Sequence, residues 1–116
     1  MLPQLSAAVR VFLCTRPTDL RKGFDGLSGL VQECFSQDLL TGHLFLFLNR
    51  RRDRIKILHF DRDGLVIWYK RLEVGSFQMP AATGDGVELE PAQLAMILSG
   101  IDLRSVRRRK RFQAAG

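Results

Sequence analysis

The sequence predicts an α+β domain, in which an antiparallel β-meander and an N-terminal strand form a sheet with two helices packed on one face. Three observations support this. Residues 42–77 hold three strand-like segments joined by short turns, two other segments have helical periodicity, and residues 104–116 carry six cations and no acid. The 116-residue chain, 46% hydrophobic and 26% charged, fits one globular domain. We expect this domain at 1–103 and a basic, flexible tail at 104–116.

The N-terminal part predicts a strand followed by a helix. The apolar run Val9–Cys14 is typical of a strand, and Pro17 ends it. A helix is expected over about Asp19–Phe35, with the side chain of Thr18 or Asp19 capping its first backbone N–H groups.

Glycines are unusually frequent in this predicted helix. Its apolar positions form one stripe at helical spacing, as expected for a helix that packs on a sheet. Gly23 lies within the stripe and Gly26 at its edge, so we expect a close approach of helix and sheet there. Gly29 lies outside the stripe.

The meander begins with the unbroken apolar run Leu44–Leu48, which is typical of a strand buried on both faces. In the next strand Ile55 and Ile57 alternate with basic residues, the period of two that a strand requires. The pair Asp63-Gly64 indicates a hairpin turn, since glycine tolerates positive φ, and Leu65–Tyr69 forms the third strand.

Residues 73–87 are rich in glycine and are predicted to form an irregular connection. A second helix is expected to open at Pro91, because proline suits the first turn. Gly100 stands where a C-terminal cap belongs. After Leu103 the chain becomes arginine-rich, which favours a flexible segment.

The net charge of +6 is concentrated in two patches. Residues 1–103 hold 12 basic and 12 acidic residues and are neutral overall, but residues 50–56 contain five cations and only Asp53. These patches, which are the candidate nucleic-acid-binding residues, comprise Arg50, Arg51, Arg52, Arg54 and Lys56, and then Arg104, Arg107, Arg108, Arg109, Lys110 and Arg111.

Each basic element has a functional and a structural interpretation. Adjacent arginines in a turn repel one another, and a polyanion or an acidic protein surface would relieve that repulsion; alternatively they are a solvated turn that protects a sheet edge. The tail could bind DNA phosphates, or serve solubility or an acidic partner. Arg21 and Lys22 follow the expected helix cap, where they could contact a phosphate or a partner; alternatively they belong to a solvated first turn of the helix.

No residue pattern predicts catalysis, a metal or a cofactor. Asp19, Asp25, Asp61 and Asp63 read as cap, surface and hairpin residues, and the two histidines lie apart on different strands. The two cysteines fit no zinc pattern and are expected to be buried and reduced. A signal peptide and a membrane span are not indicated, so a cytoplasmic protein is expected.

Four stretches of sequence, in the same order along the chain, resemble one protein family. They are the stretch from Pro17 to Leu27, the stretch from Asn49 to Lys56, the stretch from Asp61 to Glu73, and the helix that opens at Pro91. Together they resemble the small accessory protein called TnpB or Orf2 of insertion sequences of the IS-sixty-six (IS66) type, over roughly residues 9–104.

The resemblance implies an accessory role in DNA transposition beside a separate DDE-type transposase. The expected partners are therefore DNA, held through its backbone without sequence preference, and the element's transposase. A pure protein adaptor whose basic patches meet an acidic transposase surface is the alternative. A metal-dependent nuclease is the least favoured alternative, and the oligomeric state stays open.

Overall fold

The computed structural model describes residues 8–81 and 84–99, in which five strands form one sheet between two helices. In chain order the elements are β1 (Val11–Cys14), α1 (Phe24–Phe35), a short 3₁₀ turn (Leu39–Thr41), β2 (Leu44–Leu48), β3 (Arg54–Asp61), β4 (Gly64–Arg71), β5 (Gly86–Leu89) and α2 (Pro91–Ser99). The predicted α+β class, N-terminal strand and meander are confirmed. The predicted domain boundary at residue 103 and the tail lie outside the described residues.

The strand order across the sheet is β4-β3-β2-β1-β5. The meander β2-β3-β4 is antiparallel throughout, whereas β1 lies parallel to β2 and antiparallel to β5. The parallel pair requires a crossover, because its two strands run in the same direction. Helix α1 provides this crossover, and it therefore lies against one face of the sheet.

The two helices cover opposite faces, so their predicted placement on one face is wrong. Alternate residues of β1 separate into two cores: Val11 and Leu13 pack with α2, while Phe12 and Cys14 pack with α1. We call these the α2-side core and the α1-side core. The reason lies in β2, whose five residues are all buried. A strand buried on both faces needs cover on both faces.

Helix α1 begins at Phe24, five residues later than predicted, and neither Thr18 nor Asp19 caps it. Gly23 is the N-cap residue and makes no side-chain capping hydrogen bond. The Asp19 carboxylate instead accepts hydrogen bonds from the backbone N–H and the guanidinium of Arg21. Residues 18–22 therefore form a separate turn, which we call the pre-helix turn.

The sequence did not predict β5, and it misplaced the hairpin between β3 and β4. Strand β5 has only four residues, and it is held by its pairing with β1 rather than by a strong apolar pattern. In the hairpin, Gly64 is already the first residue of β4, paired with Asp61. The positive φ, 52°, falls on Arg62 instead of the glycine.

A glycine does permit a close approach of α1 to the sheet, but that glycine is Gly86 of β5. A Cβ atom there would overlap the carbonyl oxygen of Cys34 and lie 2.8 Å from the Phe35 ring. The approach expected at Gly23 and Gly26 is wrong: a Cβ on Gly23 would have no neighbour within 4 Å, and one on Gly26 would meet only the Lys22 side chain.

Two glycine-to-alanine changes are expected to have opposite effects on stability. Gly86→Ala forces α1 away from β5 and should lower the free energy of unfolding by about 1–3 kcal/mol. Gly29→Ala, where a Cβ has open space, should raise it by about 0.5–1 kcal/mol, because alanine is the better helix former. Urea denaturation of the two variants measures both. Equal effects would contradict the close packing at Gly86.

Candidate functional site

The arginine turn, residues 50–54, is held in shape by one asparagine side chain. Asn49 Oδ1 accepts from the backbone N–H groups of Asp53 and Arg54, at 3.1 and 3.0 Å. Its Nδ2 donates to Asp53 Oδ1 at 2.6 Å. These hydrogen bonds join the two ends of the turn, as asparagine side chains commonly do in turns. The turn is therefore a fixed structure and keeps its arginines close together.

The segment that follows β4 supports the same turn from outside. The backbone carbonyl of Arg52 accepts from the N–H of Phe77 at 2.6 Å, and that of Asp53 accepts from the N–H of Leu72 at 2.7 Å. Arg52 has a left-handed backbone with φ of 59°. The side chains of Arg50, Arg51 and Arg52 are exposed.

The pre-helix turn stands beside the arginine turn. The backbone N–H of Thr18 donates to the carbonyl of Leu48 at 2.8 Å, which ties this turn to the end of β2. The side-chain and backbone hydrogen bonds from Arg21 hold the pKa of Asp19 at about 2, so this carboxylate is charged at neutral pH. Arg21 is thus neutralised locally, and it precedes the helix instead of lying in its first turn.

An open groove of about 680 Å³ lies between the two turns and the ends of β3 and β4. Four cations and two carboxylates line it, which gives a net formal charge of +2. The lining residues are Thr18, Asp19, Leu20, Arg21, Asn49, Arg51, Asp53, Arg54, Lys56 and Tyr69. The groove thus unites three elements that are far apart in sequence.

Two cations in the groove are oriented by Tyr69. Lys56 and Tyr69 are cross-strand partners on β3 and β4, and Lys56 Nζ lies 4.8 Å from the centre of the tyrosine ring. Arg54 donates to the tyrosine hydroxyl at 3.2 Å. Lys56 Nζ also donates to the carbonyl of Lys22 at 2.9 Å. Tyr69 stays 48% exposed, while its neighbour Trp68 packs against the α2-side core.

The arginines of the described residues divide into two groups by their partners. Each of the five described arginines outside the arginine turn has a carboxylate oxygen within 4 Å, in the pairs Arg10–Glu88, Arg16–Asp85, Arg21–Asp19, Arg62–Asp61 and Arg71–Glu73. Within residues 8–81 and 84–99, the four arginines of the turn have none. The described arginines without a carboxylate partner therefore all lie in the arginine turn, and two of them, Arg51 and Arg54, line the groove.

The chain matches the family described as IS66 Orf2 like protein over residues 9–108. It belongs to the IS66 Orf2-like family. A protein of Sinorhizobium fredii (strain NBRC 101917 / NGR234), "Uncharacterized protein y4hO", is 41% identical over 104 residues, which is 90% of either chain. A second from this strain, "Uncharacterized protein y4jC", is 30% identical over 104 residues, 90% of this chain and 89% of its own. No solved structure matches.

The match confirms the family that the sequence blocks resemble. IS66 Orf2-like proteins are accessory proteins of insertion sequences, and the match covers the whole sheet, both helices and the arginine turn. Neither helix in the described part of this family member is long and apolar enough to cross a membrane.

The groove contains only part of the predicted site of this IS66 Orf2-like protein. Arg51, Arg54, Lys56 and Arg21 line it, whereas Arg50 and Arg52 stand beside it on the turn. Lys22 lines a neighbouring cavity. Arg104 and the basic residues 107–111 lie outside the described residues.

The sequence interpretation assigned no role to Asn49 or to Tyr69. An asparagine directly before a run of turn residues is a recognisable turn signal, so Asn49 could have been found. The position of Tyr69 over Lys56 depends on strand register, which the sequence shows less directly.

Three aspartates of this family member are exposed, and one histidine makes a hydrogen bond with the backbone. Asp25, Asp61 and Asp63 are exposed. His43 Nδ1 accepts from the backbone N–H of Arg10 at 3.0 Å, and desolvation lowers the pKa of this imidazole. Across the described ranges, three or more His, Cys, Asp or Glu side chains are nowhere grouped so that they could hold a metal ion.

Proposed function

We propose that this protein is a non-catalytic accessory protein of IS66-type transposition that holds DNA phosphates in its basic groove and docks on the element's transposase. The observation that carries the proposal is the pairing of the arginines. Five described arginines have carboxylate partners, and the four without one stand together in the arginine turn. Family membership supplies the transposition context.

Unpaired arginines in a rigid turn are unfavourable for the free protein. Like charges on neighbouring residues repel, and the backbone contacts of Asn49 and Arg52 prevent the turn from spreading. A row of phosphates removes this repulsion and releases the counterions condensed on DNA. Binding is therefore favoured both by the new contacts and by the removal of repulsion between the arginine charges.

The groove offers more than charge. Lys56 and Arg54 are held in place by Tyr69, so that less side-chain entropy is lost when they bind a phosphate. The exposed part of the Tyr69 ring can contact a sugar or an unstacked base. We assign the basic residues of the tail, Arg104 and 107–111, to further backbone contacts. Such contacts set affinity and orientation, whereas base contacts set sequence preference.

The test is the binding of full-length protein to a short DNA duplex over a series of salt concentrations. The logarithm of the binding constant should fall linearly with the logarithm of salt, with a slope of about −0.9 for each phosphate contacted. Replacing the six basic residues of the tail with glutamine should make the slope shallower by up to about 5.

Arg62 supplies the control for this experiment. Its side chain is 91% exposed at the hairpin, and residues 55–61 of β3 separate it from the arginine turn, so that Arg62 lies about 26 Å from Arg54 along the strand. Arg62→Gln should leave the slope unchanged. Absence of binding at low salt would contradict a DNA-binding groove and favour the adaptor, whose basic patches would then bind an acidic transposase surface.

A further inference from the structure

The two cysteines of the chain meet in the α1-side core. Cys14 is the last residue of β1, Cys34 lies in the last turn of α1, and their Sγ atoms are 3.1 Å apart. Both are free thiols and both are buried, as predicted. A disulfide bond brings two sulfur atoms to about 2 Å, so the pair needs an approach of only about 1 Å.

A cation touches one of these sulfur atoms. The Arg16 guanidinium donates from Nη2 to Cys34 Sγ at 2.9 Å, and its Nε lies 3.8 Å from Asp85 Oδ2. Contact with the Cys34 sulfur raises the pKa of Arg16, so this guanidinium remains charged. A fixed positive charge stabilises the negative charge that a sulfur atom carries as it attacks an oxidant.

The other thiol has a different environment. Burial and the hydrogen bond with Cys34 raise the pKa of Cys14 to about 11, so it keeps its proton at neutral pH. The pair is therefore asymmetric in its contacts: the guanidinium of Arg16 lies 2.9 Å from the Cys34 sulfur, whereas the Cys14 thiol donates to the backbone carbonyl of Arg16 at 3.7 Å.

Both cysteines line a small cavity. It has a volume of about 180 Å³, and its lining includes Cys14, Cys34, Arg16, Lys22 and Glu33. Cys34 is 8% exposed and Cys14 is 1% exposed. A space of this volume holds several water molecules, each of which takes about 30 Å³ in the liquid. A peroxide molecule, which is of similar size, therefore fits beside Cys34.

We propose that Cys14 and Cys34 form a peroxide-reactive dithiol that closes to an intramolecular disulfide. In the first step the Cys34 sulfur attacks one oxygen of hydrogen peroxide and the O–O bond breaks. The departing hydroxide takes the thiol proton, so that water and a Cys34 sulfenic acid result. Arg16 stabilises the charge on the attacking sulfur.

In the second step the Cys14 sulfur attacks the Cys34 sulfur. The S–S bond forms, the S–O bond breaks, and the departing hydroxide takes the Cys14 proton to form a second water. In total the two thiols lose two hydrogen atoms and the peroxide is reduced to two waters. The product joins β1 to α1 across 20 positions of sequence and encloses the pre-helix turn. This inference does not depend on DNA binding.

The test treats full-length, reduced protein with stoichiometric hydrogen peroxide and follows its intact mass. We expect a monomer that has lost two hydrogen atoms, has no titratable thiol after denaturation, and regains both thiols with dithiothreitol. The melting temperature should rise by about 10 °C on oxidation, because the bond closes a loop in the unfolded chain. Thiols that persist in excess peroxide, disulfide-linked dimers, or a monomer that only gains oxygen would overturn the proposal.

Variants separate the roles of the three residues. Cys14→Ser should stop at a Cys34 sulfenic acid that dimedone traps, and Cys14→Ala serves if the serine is not tolerated. Arg16→Gln should slow oxidation at least about tenfold, because the attacking sulfur loses a charged hydrogen-bond donor. Arg62→Gln, which removes an equal charge at the distant hairpin, should oxidise at the rate of the wild type. Equal rates in the two arginine variants would overturn the role of Arg16.

Discussion

Neutralising the unpaired cations of the groove is expected to lower the affinity for duplex DNA on the order of 100-fold at about 0.1 M salt. The variant carries Arg51→Gln, Arg54→Gln and Lys56→Gln. Each lost phosphate contact makes the salt slope shallower by about 0.9, so the slope should change by about 3. The fold should survive, since backbone groups and Asn49 hold the turn. Fluorescence anisotropy over a salt series measures both quantities.

The matched control removes the same number of charges from arginines that already have carboxylate partners. It carries Arg10→Gln, Arg62→Gln and Arg71→Gln, whose partners are Glu88, Asp61 and Glu73. Both variants fall from a net charge of +6 to +3. A purely long-range effect of net charge would therefore weaken binding equally in both, and that result would contradict a groove that contacts phosphates directly.

The same pair of variants separates DNA binding from the adaptor function. If the groove holds an acidic protein surface, the groove variant should lose the transposase while both variants keep the DNA affinity of the wild type. Co-purification of each variant with the transposase, in the absence of DNA, measures this. Loss of DNA binding with the transposase complex intact would support the function proposed here.

The meander was predictable because its signals are local. Period-two alternation in β3 and the apolar run of β2 follow directly from which faces are buried. The start of α1 was not predictable in this way, because Asp19 can cap a helix or close a turn with Arg21. The two uses compete for the same side chain, and the hydrogen bond from the Thr18 N–H to the Leu48 carbonyl favours the turn.

The placement of the helices was recoverable from the sequence. A run such as Leu44–Leu48, in which residues of both faces are apolar, requires cover on both faces of the sheet. Two helices on one face would leave three or two of these side chains in water. The apolar pattern of β2 thus indicates which faces of the sheet the helices cover more strongly than the order of helices and strands along the chain does.

The groove could be predicted from composition only as a positive patch. Which arginines lack partners depends on pairs such as Arg10–Glu88, which lie 78 positions apart and meet across the sheet. Even the pairing of Arg21 with Asp19, two residues away, depends on the turn that the backbone adopts. The functional distinction between paired and unpaired cations is therefore a tertiary property.

The largest effect on stability is expected for Phe45→Ala, with a loss of about 3–5 kcal/mol in the free energy of unfolding. Phe45 is fully buried in the α1-side core. Its ring stacks on Phe12 with centroids 5.6 Å apart and packs against Phe35 at 5.3 Å. Removing it opens a cavity under α1 and takes away two aromatic pairs, each worth about 0.5–1.5 kcal/mol. Urea denaturation measures the loss as a lower midpoint with an unchanged slope.

Phe24→Ala is the control, because this phenylalanine is 49% exposed at the start of α1 and its loss should cost no more than about 0.5 kcal/mol. Similar losses in the two variants would contradict the packing described here. Phe45 lies away from the groove, so the folded fraction of Phe45→Ala should bind DNA as the wild type does. Its apparent affinity should then fall only in proportion to the folded fraction. The groove variant should show the reverse behaviour, with full stability and weak binding, because its changes remove contacts with DNA and leave both cores intact.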